Sequence, residues 1–314
     1  MSIGKVSDVL WASISSVSGV AKASISKVLG EAAPASYTGI LDTYTGAGAA
    51  YGIRKLRAAY SGSCMRVVRS TDSTEQDIGF DGSGLLDTAA IATFIGANTG
   101  YVGKWYDQSG NGFDAIAHNY GVNLTTHPEI RISGTNQTLN GIVAIKLSGT
   151  RRFAWTNTGK NLDLMATFSP KATLMMCVGQ IGASPTSPMI MEWYENQTGN
   201  DYLSLYESGG CRIDFGNGSS SVGGAFTNAA QKCWYGQVNG STYQVWENNS
   251  SIGSATNAGT QTLSGTGINA KIGGGTSTAS NMDGYIQELI VWPTSQEANR
   301  AGIFTNVDTY FSIP

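Results

Sequence analysis

The sequence predicts a mainly β chain: a two-sheet antiparallel sandwich or jelly roll, with a few short helices and a separate N-terminal arm. Three observations predict it. Glycine supplies 41 of the 314 residues, about 13% against a usual ~7%, as a chain with many turns requires. Short apolar runs of strand length recur along the chain, separated by Asn-Gly, Gly-Gly and Ser-Gly. Hydrophobic residues make up 41% and aromatics 10%, enough to fill a core and unlike a charge-swollen disordered chain. Charged residues are only 13%, so Ser, Thr, Asn and Gly must cover the surface. A coiled coil, which needs charged flanking positions, is thereby excluded.

The first 33 residues carry a repeat of their own. Ser2-Ile3-Gly4-Lys5-Val6, Ser13-Ile14-Ser15-Ser16-Val17 and Ser24-Ile25-Ser26-Lys27-Val28 recur with a period of 11. That period fits a slowly right-handed helix, but Ser and Gly at so many positions disfavour helix. Short helix and extended strand-and-turn therefore both stand. Three such units cannot enclose a core. The stripe Ile3, Val6, Ile14, Val17, Ile25 and Val28, with Trp11 added, is expected to dock on another protein. Ala33-Pro34-Ala35-Ser36 is a linker, which divides the chain into an arm over 1–36 and a sandwich domain over 37–314.

In the domain, Tyr51, Ile53, Leu56, Ala59 and Tyr60 are spaced for a short helix, with Arg54, Lys55 and Arg57 on its solvated side. Cys64 to Arg69 alternates as a strand, and Asp77 to Phe80 continues the hairpin. Leu85 to Ile95 has helical spacing, with Asp87-Thr88 as its start and Gly96 as its stop. Strands follow at Val102–Tyr106, Val143–Leu147, Thr173–Ile181, Tyr202–Tyr206, Arg212–Phe215, Trp234–Val238 and Tyr243–Glu247. The last, Tyr285–Trp292, alternates and then turns wholly apolar, as a central sandwich strand does.

Charge and cysteine usage narrow the partners. A net charge of −3 argues against nucleic acid, which is held by concentrated Lys and Arg. No apolar run approaches 18 residues, so no membrane insertion is expected. Asp8 and the Ser-rich run Ser13 to Ser18 break any signal-peptide core, which predicts synthesis in a cytosol without the usual export. Cys64, Cys177, Cys211 and Cys233 have no CxxC or metal spacing and read as buried thiols, with a Cys211–Cys233 disulfide as the alternative.

One set of segments is specific. Ala50-Tyr51-Gly52-Ile53-Arg54-Lys55-Leu56-Arg57, Arg66-Val67-Val68-Arg69-Ser70-Thr71-Asp72, Asp77-Ile78-Gly79-Phe80 and Trp105-Tyr106-Asp107-Gln108-Ser109-Gly110-Asn111-Gly112 occur in that order. Together they resemble the N-terminal part of the catalytic domain of α-L-arabinofuranosidase B. The resemblance implies a concanavalin-like sandwich and a retaining mechanism with two carboxylates. With its repeated leader, the chain also resembles tail and surface proteins of tailed bacteriophages.

The family's nucleophile is the Glu of an Asp-Leu-Glu-Asn-Gly stretch, matched here by Asp214-Phe215-Gly216-Asn217-Gly218. Its acid is the Asp of Ile-Gly-Gly-Asp, matched by Ile272-Gly273-Gly274-Gly275. Gly216 and Gly275 thus stand at the catalytic positions, and glycine can neither attack an anomeric carbon nor protonate a leaving oxygen. Glu192, Glu195, Asp201, Glu207, Asp283 and Glu288 read as a polar rim. Residues three apart on a strand face opposite sides, so Glu192 and Glu195 make no natural pair.

Other chemistry is sparse. His118 and His127 have no ligand at metal spacing, and there is no nucleophile elbow or phosphate loop. Asp107 reads as an Asx-turn rather than a calcium ligand. No metal and no cofactor are expected. Trp193, Tyr194, Tyr206 and Trp234 are the candidate platforms for sugar rings.

The expectation is therefore a non-enzymatic bacteriophage virion protein, a homo-oligomer. Its arm would bind other virion proteins of capsid or tail, and its sandwich would be displayed as a host-glycan-binding adhesin or a capsid decoration. The alternative is an active arabinofuranosidase-like glycosidase that degrades host surface polysaccharide.

Overall fold

The computed structural model describes residues 16–17, 20–21, 27–28, 31–32, 37–155, 172–182, 188–195, 202–207, 211–215, 230–256, 268–275 and 281–314. Within the arm, β1 (Ser16–Val17) pairs with β2 (Val20–Ala21), and β3 (Lys27–Val28) pairs with β4 (Glu31–Ala32). The second ladder repeats the first at an offset of 11 residues (16 to 27, 17 to 28, 20 to 31, 21 to 32). At the described residues of the arm, the period is therefore carried by paired strands. Of the expected docking stripe, Val17 and Val28 fall on these strands, whereas Ile3, Val6, Trp11, Ile14 and Ile25 lie outside the described residues.

The domain begins with α1 (Ile40–Thr43), β5 (Ala49–Gly52), β6 (Met65–Arg69), β7 (Glu75–Ile78) and α2 (Thr88–Ile95). Next come β8 (Gly100–Trp105), β9 (Ala115–Ile116), β10 (Glu129–Ile132), β11 (Thr135–Asn136), β12 (Thr138–Leu139), β13 (Ile142–Val143), β14 (Ile145–Leu147) and β15 (Phe153–Trp155). The longer strands follow: β16 (Ala172–Ile181), β17 (Met189–Glu195), β18 (Tyr202–Glu207), β19 (Cys211–Phe215) and β20 (Lys232–Asn239). The chain closes with β21 (Thr242–Glu247), β22 (Ser250–Thr256), β23 (Ile268–Ile272), β24 (Gly284–Trp292) and α3 (Arg300–Phe311).

Thirteen strands form one antiparallel sheet along the path β22-β21-β20-β16-β24-β14-β10-β8-β6-β7, with β11, β5 and β9 attached to β10, β24 and β8. Five more form a second sheet in the order β15-β23-β17-β18-β19. The two contribute to one apolar core. They approach closely at Gly236 on β20, where a Cβ would come within 2.8 Å of Ile213 and 2.9 Å of Leu205 from the smaller sheet. A side chain there would have to displace both of these residues. The protein is mainly β, with antiparallel sheets and few helices, as its turn-rich composition predicts.

β24 occupies the middle, paired to β14, β16 and β5, and all its residues but Tyr285 are buried. Its polar members are satisfied in the interior. Gln287 donates to the carbonyls of Leu139, Ile142 and Val143, each at 3.2 Å. Glu288 is not on a polar rim. It is fully buried and holds Arg54 through Nε–Oε2 at 2.7 Å and Nη2–Oε1 at 3.0 Å.

That pair also corrects the helix expected over 51–60. Ala49–Gly52 is instead a wholly buried strand on β24, and Arg54 faces Glu288 rather than solvent. Pairing with a central strand outweighs a weak local helical period. The second expected helix is found as α2, with the Asp87 carboxylate accepting from Ala90 N and Gly96 ending it at φ +61°. Among the described residues, no helix is long and apolar enough to cross a membrane.

Candidate active site

The strand order of the smaller sheet brings a carboxylate beside a lysine. Ala154, Lys271, Glu192, Ser204 and Asp214 are successive cross-strand partners along one row from β15 to β19. Residues directly opposite in an antiparallel ladder share a face. The next row, Phe153, Ile272, Met191, Leu205 and Ile213, points into the core. Glu192 therefore faces away from the core, yet only 4% of it is exposed. It is no rim residue.

A glycine turn after β23 lies at this place. Gly273 (φ +79°) donates to Ile190 O at 2.9 Å and accepts from Met282 N at 2.9 Å. Lys271 Nζ donates to the carbonyl of Gly275 at 2.8 Å, so its ammonium is drawn under the turn. Arg152 crosses the other side, with Nη1 donating to Asn281 Oδ1 at 3.1 Å and Nη2 lying 3.3 Å from His118 Nε2. A Cβ on Gly274 would lie 2.6 Å from both Arg152 Cδ and Asn281 Oδ1, so a larger residue there would push these two side chains aside.

The charges act on one another. Burial lowers the Lys271 pKa, Glu192 opposes that shift, and Arg152 adds to it. Burial likewise lowers His118, reinforced by Arg152, Lys271 and His127. A guanidinium only donates, so Nε2 of His118 is the bare ring nitrogen that accepts from Arg152. The cluster of Glu192, Lys271, Arg152, His118 and Asn281 can hold a carboxylate, an ammonium with a lowered pKa and a neutral imidazole around one turn.

Of the two glycines expected at catalytic positions, Gly275 lies in this turn, its carbonyl accepting from Lys271 Nζ, and Gly216 lies outside the described residues. β17, adjacent to β23, is the strand that can face the turn, and Glu192 is its carboxylate at that level. Glu195 is at the far end of β17, opposite Ile268. Glu207 pairs with Cys211 on β19, Asp283 is exposed before β24, and Asp201 lies outside the described residues.

The aromatic candidates separate too. Trp234 is fully buried in β20, its Nε1 donating to Glu247 at 3.2 Å, and so presents no face to a sugar ring. Tyr206 is half-buried, opposite Met189 and Arg212. Trp193 and Tyr194 hold register positions opposite Ala270 and Asn269, and their side chains are outside the described set. A further cleft of about 370 Å³, lined in part by Tyr37, Lys55, Tyr60, Phe80 and Asp81, was not signalled by any motif.

The most specific sequence motif is structural. Asp107 accepts from Ala50 N (2.9 Å), Ser109 N (2.9 Å), Ser109 Oγ (2.7 Å) and Phe113 N (3.1 Å). Gln108 accepts from Leu56 N and donates to the carbonyls of Gly52 and Arg54. These bonds tie the loop to the segment after β5 and leave Asp107 as the turn-former its sequence predicts. Cys64, Cys177 and Cys233 are free and buried, so the Cys211–Cys233 pairing is not formed. Among the described residues, no group of three His, Cys, Asp or Glu side chains could hold a metal ion.

Residues 42–155 match a family model described as "Alpha-L-arabinofuranosidase B, catalytic". No curated protein matches the chain. Among solved structures, it is similar to a point mutant of a GH54 α-L-arabinofuranosidase soaked with 4-nitrophenyl α-L-arabinofuranoside (TM-score 0.62, 16% identity). It is also similar to an arabinofuranosidase complexed with arabinofuranosyl-α-1,2-xylobiose (TM-score 0.61, 16% identity). In both comparisons 85% of this chain is covered and 64% of the other, so the chain spans less than two thirds of those proteins' length.

These matches overturn two expectations. The chain's relatives in sequence model and in fold are arabinofuranosidases, which gives no footing to a bacteriophage virion protein displaying an adhesin or decoration. They are also enzymes, which overturns the expectation of a non-enzymatic chain; Gly216, one of the two glycines behind that expectation, lies outside the described residues.

Proposed function

We propose that this chain is a glycosidase domain of the α-L-arabinofuranosidase type, on a concanavalin-like sandwich, hydrolysing furanoside groups carried by a polysaccharide. The observation that carries the assignment of the site is the position of Glu192: buried, on β17, opposite Lys271 and beside the Gly273–Gly275 turn. Its carboxylate attacks the anomeric carbon and forms a glycosyl ester as the bond to the leaving oxygen breaks. Gly275 carries no acid, so the proton for the leaving oxygen comes from Lys271, whose ammonium is held at that residue's carbonyl. Burial, which lowers its pKa, makes it a better donor. Water then opens the ester, and the neutral Lys271 amine takes the proton back.

The test is release of 4-nitrophenol from 4-nitrophenyl α-L-arabinofuranoside, and of arabinose from arabinose-bearing polysaccharide. Wild type should turn over. Glu192→Gln should lose at least about a thousand-fold in kcat while remaining folded by circular dichroism. Lys271→Met should lose rate on natural polysaccharide more than on the nitrophenyl glycoside, whose leaving group needs little protonation. Absence of turnover by wild type, or full activity of Glu192→Gln, would overturn the reading.

A further inference from the structure

We infer that Arg152 and His118 form a subsite for the carboxylate of an acidic sugar, a hexuronic acid, on the leaving-group side of Glu192. The placement beside the scissile bond rests on the glycosidase reading; the affinity for the acid does not. Only 13% of this chain is charged and its net charge is −3, yet Arg152, Lys271 and His118 converge on one glycine turn. Arg152 reaches His118 with one guanidinium nitrogen and Asn281 with another, which fixes its plane across the turn. A guanidinium held in plane matches the two oxygens of a carboxylate better than an ammonium does.

The charges that act on His118 are all positive, from Arg152, Lys271 and His127. A bound carboxylate would relieve that repulsion, and the neutral ring, whose Nε2 accepts from Arg152, offers its Nδ1 proton as a second donor. Glu192 sets the direction. Its negative charge excludes an anion from its own side, so the acid group must lie toward Arg152 and His118.

The experiment uses the full chain with digalacturonate and, as control, the neutral digalactose of the same linkage, by titration calorimetry. The acid should bind at least about ten-fold more tightly than the neutral sugar. Arg152→Gln should abolish that preference and His118→Asn should reduce it. Glu192→Gln should tighten the acid several-fold and leave the neutral sugar unchanged, an effect that a merely structural role would not produce. On binding, the His118 ring should titrate at higher pH by NMR.

Equal binding of the two sugars, binding of neither, or a preference that survives both Arg152→Gln and His118→Asn would overturn the subsite. Acid binding without arabinofuranoside hydrolysis would sink the glycosidase reading and leave the subsite standing. Hydrolysis without acid binding would do the reverse.

Discussion

Arg54 and Glu288 are 234 positions apart, yet each is almost wholly withdrawn from water. Taking two such charges inside is expensive, and the pair persists because its groups are met on several sides. Both carboxylate oxygens are bonded to the guanidinium, Nη2 also donates to Asn306 Oδ1 at 2.9 Å, and the guanidinium lies over the rings of Tyr310 (4.7 Å) and Phe311 (5.5 Å). The contact joins the segment after β5, the central β24 and α3. Removing one partner leaves the other charge buried without its counter-ion. Arg54→Met or Glu288→Gln should therefore cost about 3–5 kcal/mol in urea unfolding. The double variant Arg54→Met with Glu288→Leu should recover most of that loss. If the single variants unfold with the wild type, the pair has no such role.

At the scale of elements, β1 to β4 pair only with one another among the described residues, and neither large sheet includes them. Starting the chain at Tyr37 should thus leave the urea midpoint of the domain within about 0.5 kcal/mol of the full chain, as for changes away from packed features. A larger loss would show that the arm packs on the domain. What the sequence disclosed follows the same division. Local signals were legible: the 11-residue period, the Asp87 cap and Gly96 stop of α2, and the alternation of β24. So was the role of Asp107, because an Asx-turn is written within a few residues. Long-range pairing was not. The 51–60 segment shows a helical spacing, and only its placement on β24 makes it strand. Glu192 looks like any rim acid until the order β23-β17 sets it against Lys271. The α3 spacing of Ile303, Val307 and Phe311 was present in the sequence but is overshadowed by the strand-rich pattern before it.

For the whole molecule, the two histidines set the response to mild acid. His127 is fully buried and stacked on Tyr120 at 5.8 Å; its Nε2 lies 3.5 Å from Asn119 O, and its Nδ1 has no partner among the described residues. Protonating Nδ1 would bury an unpaired charged donor, and burial accordingly lowers this pKa. Burial also lowers His118, with Arg152, Lys271 and His127 adding to the shift. In the unfolded chain both rings take up protons near pH ~6.5. The unfolded state thus binds more protons than the folded state as pH falls through that value, and stability must fall with it. The contribution is fully present above about pH 6.5 and is lost progressively below it. The carboxylates act lower. Asp72 and Asp77, held below their usual range by Arg69 and Arg66, lose their contribution only as pH drops beneath about 4. Between about pH 7 and pH 5, therefore, the histidines govern. The urea midpoint should be lower at the acid end for the wild type. The double variant His118→Asn with His127→Phe, which keeps a ring against Tyr120, should show little change across the same interval. If the double variant loses as much stability as the wild type, groups other than these histidines carry the acid sensitivity.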